Sequence, residues 1–241
     1  TLSHHLARAG FGVVAVDGCS SGTLQPRLKA GSVADGVGNT GPASAAAAEP
    51  REDDRDEPVD PRVDGPPLRE DPMMAAMNHL GYDAMTVGNH EYNFGLKNLA
   101  AARRSAKFPW LSANTVVPPG GAIEPFQPFV VKTVAGVKVA VIGLTTPAVP
   151  SWEKPENYKG LRFLRGVESV EKALVELREK HHPDLVIVAA HSGLDRDLKS
   201  GEIPVGETGF ENMIYQVASQ VKGVDAIVFG HTHQQLAQAR V

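Results

Sequence analysis

Four histidines and one asparagine occupy positions where side-chain chemistry concentrates. Asn89 and His90 follow the apolar run Ala84–Val87, His191 follows Leu185–Ala190, and His231 and His233 follow Asp225–Phe229. Each group sits beside glycine, at Gly88, Gly193 or Gly230, which permits unusual backbone angles and close approach of a ligand. Imidazole nitrogen and amide oxygen suit Zn, Mn, Fe, Co or Ni. Two such ions, about 3.5–4 Å apart, can clamp a phosphoryl group and activate a water. A site of that kind also needs carboxylates, one of them bridging. His90 adjoins Asn89 and therefore points elsewhere, as suits a proton donor to a leaving oxygen or a positive group beside transition-state charge. The other histidines, His4, His5, His79, His181 and His182, are read as surface or packing residues.

These side chains need a sheet to bring them together. Ala84–Val87, Trp110–Ala113, Leu185–Ala189 and Asp225–Phe229 read as buried strands, and 129–134 with 137–144 as a hairpin turning on Ala135-Gly136. Helices are expected over 72–80, where Pro72 suits a first turn, and over 96–105, 166–180 and 211–221. Val167, Val170, Leu174 and Leu177 give the third of these one apolar face. Three strands thus end in polar motifs, and in open α/β sheets ligand sites collect beyond the carboxyl ends of strands. The expected class is α/β. Trp110 and Trp152 are read as packing residues.

The chain has 241 residues, a formal net charge of −4 and one cysteine, Cys19, so no disulfide forms within it. The charge argues against a nucleic-acid polymer as partner, and no apolar run is long enough to span a membrane. The chain opens at Thr1, so a removed signal peptide would leave no trace. Residues 31–70 are rich in Ala, Gly, Pro and charge and contain no aromatic residue or isoleucine. Such a stretch buries too little apolar surface to offset its ordering entropy, so disorder is expected there. A short strand is expected over 11–16.

Together, Gly88-Asn-His-Glu91, His191-Ser-Gly193 and Gly230-His-Thr-His233 resemble the calcineurin-type metallophosphoesterase superfamily. The likeness covers roughly residues 71–241. It extends to 77–84, 107–114 and 223–230, which point to the nucleotidase branch, and best to the 2′,3′-cyclic-nucleotide 2′-phosphodiesterase/3′-nucleotidases. Relatives of the 5′-nucleotidase and UDP-sugar hydrolase kind usually carry Asp three residues after the motif histidine, where this chain has Asn93. The resemblance implies a four-layer α/β/β/α sandwich, two divalent metals, a nucleotide or cyclic nucleotide substrate, and a periplasmic, cell-wall or secreted location. It implies that Asn89, His191 and His231 hold the second metal and His233 the first, with His90 catalytic. Ser192, Gly193 and Glu91 would support the loops.

The N-terminal part departs from that pattern. The family opens with Asp-x-His after its first strand and a Gly-Asp motif after its second, supplying the remaining ligands and the bridging carboxylate. Here Asp17 follows an apolar run, but Cys19 stands where the histidine belongs. Asp35-Gly36 and Gly38-Asn-Thr-Gly41 only echo the second motif. Residues 1–70 are therefore taken as a divergent or disordered segment, with a reading-frame error as its suggested origin, and 71–241 as a truncated catalytic domain. The sandwich would be incomplete. Activity of the 5′-nucleotidase or UDP-sugar hydrolase type, or an inactive remnant lacking half of the metal site, are the alternatives.

Overall fold

The computed structural model describes residues 71–198 and 200–234. The strand expected over 11–16 and the disorder expected over 31–70 lie outside these residues. Helix α1 (Pro72–Leu80) begins where Asp71 caps it: its Oδ1 accepts the N–H groups of Met73 and Met74, each at 3.0 Å. It ends at Gly81 in the left-handed region. There follow β1 (Met85–Thr86), a 3₁₀ turn (His90–Tyr92), α2 (Gly95–Ser105), β2 (Trp110–Leu111), β3 (Thr115–Val116), β4 (Phe129–Val134) and β5 (Val137–Thr145). Then come α3 (Val149–Trp152), a second 3₁₀ turn (Pro155–Tyr158), β6 (Arg162–Phe163), α4 (Gly166–Lys180), β7 (Leu185–His191), α5 (Ile214–Gln220) and β8 (Ala226–Phe229). No helix among the described residues is long and apolar enough to cross a membrane.

The main sheet has the order β4-β5-β7-β8. β4 and β5 form the expected hairpin, turning on Ala135 and Gly136 at φ 50° and 85°. β5, β7 and β8 are parallel, with Thr145 opposite His191 at the carboxyl end. β1 and β2 pair in parallel as a second small sheet, and β3 pairs with β6.

Side-chain alternation turns these pieces into four layers. Ile142, Leu144, Val188 and Ala190 point to one face of the main sheet, where Val170, Leu174 and Leu177 of α4 and Ile214 and Val217 of α5 cover them. Each large side chain so buried contributes about 1.5–3 kcal/mol. Val139, Val141, Ile187 and Ala189 point to the other face and meet Ala84 and Leu111 of the small sheet. Beyond, Met85, Val87 and Trp110 face away from the main sheet and pack with Met74 and Met77 of α1 and Leu96 and Leu99 of α2. The order is helix, sheet, sheet, helix, as expected.

The two sheets meet closely at Gly143. A Cβ there would lie 2.4 Å from the Cβ of Leu111 and 2.7 Å from its backbone carbonyl. Gly143→Ala is expected to cost about 1–3 kcal/mol, as overpacking of a filled core does. Urea denaturation of the two proteins measures this as a lower midpoint at unchanged slope, and an equal midpoint would show that the sheets part freely. Buried hydroxyls join the sheets beside it: Thr145 Oγ1 donates to the Val87 carbonyl at 2.8 Å, and Thr86 Oγ1 to the Ala189 carbonyl at 3.1 Å. These bonds hold the carboxyl ends of β1, β5 and β7 in one place.

The helix expected over 211–221 starts three residues late, at Ile214. Residues 211–213 are tied instead to the loop after β7. Asn212 Oδ1 accepts the Gly193 N–H at 2.8 Å, and Asp195 Oδ1 reaches across to cap Tyr215 N at 2.8 Å. The cap comes from another segment, which local sequence does not reveal. The short elements β3, β6 and α3 likewise carry too few residues to show a period.

Candidate metal centre

The polar motifs after β1, β7 and β8 converge. His191 ends β7 almost wholly buried, 1% exposed, and Asn89 is 7% exposed. Asn89 Oδ1 lies 2.7 Å from His191 Nε2, and His231 Nδ1 lies 3.2 Å from the same nitrogen. His231 Nε2 is 3.1 Å from Glu211 Oε1. The ionised carboxylate only accepts, so it sets the hydrogen of His231 on Nε2 and leaves Nδ1 as a lone pair toward His191.

Two of the motif glycines, Gly88 and Gly193, have a local reason. A Cβ at Gly88 would stand 2.9 Å from the His191 ring, and the Gly88 N–H donates to Glu91 Oε2 at 2.5 Å. Glu91 thereby holds the turn it belongs to, and desolvation raises its carboxyl above the usual carboxylate range. A Cβ at Gly193 would stand 2.3 Å from Thr232 Cγ2, so the middle residue of the third motif seats on the glycine of the second. Ser192 Oγ donates to the Glu211 carbonyl at 3.0 Å, and Thr146 Oγ1 to the same oxygen at 2.9 Å. Those two bonds fix the backbone of Glu211, from which its carboxylate reaches His231. His231 and His233 have φ of 83° and 56°, a left-handed conformation uncommon outside glycine and concentrated at functional sites.

His90 is exposed and turned to a different partner: its Nδ1 lies 2.8 Å from Asn93 Oδ1. His233 is exposed, two residues beyond His231. The structure thus joins Asn89, His191 and His231 directly, sets His90 beside them on the same turn, and leaves His233 at the surface. Trp110 is buried in the core as expected, whereas Trp152 is not a packing residue. It is 46% exposed at the end of the short α3, its ring 5.4 Å from that of His231. Glu211 was not legible as a site residue, since it lies 20 residues from the histidine it serves.

The donor set fits a small cation. Ligands held about 2.0–2.2 Å from one ion stand roughly 3–3.5 Å apart, and His191 Nε2 and His231 Nδ1 stand 3.2 Å apart, with Asn89 Oδ1 closer, at 2.7 Å from His191 Nε2. Asparagine oxygen and two imidazoles are suitable ligand types. Among the described residues no group of three or more His, Cys, Asp or Glu forms a metal cluster, so the convergence depends on an amide as its third donor.

The sequence profile of calcineurin-like phosphoesterases matches residues 63–235. The chain belongs to this family. Calcineurin-like phosphoesterases are metal-dependent and generally dinuclear. Among curated relatives, the trifunctional nucleotide phosphoesterase YfkN of Bacillus subtilis is 32% identical over 171 residues, 67% of this chain and 11% of the relative. The 2′,3′-cyclic-nucleotide 2′-phosphodiesterase/3′-nucleotidase of Salmonella typhimurium is 36% identical over 172 residues, 67% of this chain and 25% of the relative. The crystal structure of the Bacillus subtilis YfkN phosphoesterase superposes with a TM-score of 0.59 at 31% identity, covering 71% of this chain and 51% of that one. This calcineurin-like chain therefore spans at most a quarter of the length of those two curated relatives.

Proposed function

We propose that this chain carries a metal-dependent nucleotide phosphoesterase site whose reaction is that of a 2′,3′-cyclic-nucleotide 2′-phosphodiesterase/3′-nucleotidase. The observation that carries the reading is the convergence of Asn89 Oδ1, His191 Nε2 and His231 Nδ1 at the carboxyl ends of three strands. Asn89, His191 and His231 would hold one divalent ion, and His233 would contribute to a second. When bound, such ions neutralise phosphoryl charge and make water nucleophilic at neutral pH. Glu211 keeps His231 in the tautomer that presents Nδ1. His90 gives a proton to the leaving oxygen. Asn93, in place of the aspartate usual among 5′-nucleotidase relatives, favours the cyclic-nucleotide activity. Residues 71–241 form the catalytic domain, and an exported location, periplasmic or at the cell wall, accompanies this reading.

A second reading is an inactive remnant that binds one metal. It is favoured by a centre whose joined donors are an amide and two imidazoles, without a bridging carboxylate among them. Hydrolysis of 2′,3′-cyclic AMP by the purified chain separates the two. Mn²⁺-dependent turnover abolished by chelator, with about two ions bound per chain, is expected. A folded chain with no turnover and one ion or none would favour the remnant.

A further inference from the structure

Behind His90 lies a chain of side chains drawn from three segments. Asn93, three residues on, faces His90 Nδ1 with its amide oxygen at 2.8 Å. Its amide nitrogen donates to Glu153 Oε1, just after α3. Asn157, in the second 3₁₀ turn, donates from Nδ2 to Glu153 Oε2 and to the Asn93 carbonyl, both at 2.9 Å. Asn93, Glu153 and Asn157 are all partly buried, whereas His90 is exposed.

An amide alone fixes a histidine weakly, because it can rotate by half a turn and offer N–H₂ where it offered oxygen. A carboxylate behind the amide removes that freedom. The Glu153 oxygens only accept, so the Asn93 nitrogen must face them and the Asn93 oxygen must face His90. A flipped amide would set oxygen against carboxylate in a partly desolvated place, leaving acceptors without donors. With Oδ1 facing it, His90 must carry hydrogen on Nδ1, which leaves Nε2 as the nitrogen that gives or takes a proton. Asn157 in turn spends its two amide hydrogens on holding Glu153 and the Asn93 backbone.

We propose that Glu153 is a positioning residue for His90, acting through the Asn93 amide to select the Nδ1–H tautomer. The negative charge that a carboxylate would supply in contact with histidine is here one residue further back. The catalytic consequence rests on the reading of His90 as proton donor, but the tautomer selection does not.

The test uses the full chain labelled with ¹⁵N at histidine, free of metal, with the His90 signals identified by their loss in His90→Ala. At alkaline pH the wild type is expected to show one tautomer, with hydrogen on Nδ1. Glu153→Ala is expected to mix the two tautomers. Glu153→Gln keeps the size but not the acceptor-only character, since its amide can turn and offer N–H₂ to Asn93, and is expected to lose the single form as well. An unchanged His90 signal in Glu153→Ala overturns the proposal, whatever the activity. If that variant does not fold, the isosteric Glu153→Gln decides instead: a single Nδ1–H tautomer in Glu153→Gln overturns the proposal. On 2′,3′-cyclic AMP with Mn²⁺, kcat of Glu153→Ala is expected to fall roughly tenfold to a hundredfold with little change in KM, part of the roughly 10²–10⁴-fold due to a positioned acid. A wild-type chain without turnover whose tautomer still follows Glu153 would end the phosphoesterase reading and leave the positioning intact. An active wild type with an unmoved tautomer would do the reverse.

Discussion

Replacing His191 by alanine is expected to abolish metal-dependent hydrolysis and to weaken Mn²⁺ binding by at least a hundredfold. His191 Nε2 is the shared atom of the centre, 2.7 Å from Asn89 Oδ1 and 3.2 Å from His231 Nδ1. Its ring is buried against Gly88, so truncation also leaves a void beneath the Asn89 turn. Titration calorimetry with Mn²⁺ measures the first effect, and circular dichroism checks that the fold survives. Glu211→Ala provides a graded comparison. Glu211 touches only the far nitrogen of His231, and losing a partner behind a ligand typically costs 10–100-fold in affinity. That variant should regain turnover at high Mn²⁺, whereas His191→Ala should not. Equal affinity in wild type and His191→Ala would sink the ligand assignment.

His90→Ala is expected to lower kcat by about 10²–10⁴-fold while leaving metal affinity unchanged. The separation follows from geometry. His90 Nδ1 is engaged by Asn93, whereas Asn89 contacts His191, and the His90 ring is exposed, so the fold does not depend on it. The leaving oxygen of a nucleotide is a poor leaving group and needs a proton as the bond breaks. A p-nitrophenyl ester does not, so the loss should shrink several-fold on that substrate. A loss of equal size on both esters would assign His90 to binding rather than to proton donation.

The class of fold was legible because it rests on short-range pattern. The continuous apolar runs at 185–190 and 226–229 and the period of Val167, Val170, Leu174 and Leu177 specify buried strands and a covering helix on their own. The hairpin at Ala135-Gly136 formed as expected, since turn chemistry is local. The helix start at Ile214 was misplaced because its cap, Asp195, belongs to a different segment.

The site divides in the same way. Sequence by itself determined which imidazoles and which amide are available, and that three strands deliver them to one edge. Glycine beside the first two motifs was a local signal that something packs closely there, at Gly88 a histidine ring and at Gly193 a threonine. Sequence could not determine which nitrogen of each ring faces inward. Tertiary structure decided that, by setting Glu211 behind His231 and Glu153 behind Asn93 across sequence separations of 20 and 60 residues. The physical reason is that a tautomer is set by the acceptor at the far side of the ring, and that acceptor is chosen by packing rather than by spacing along the chain.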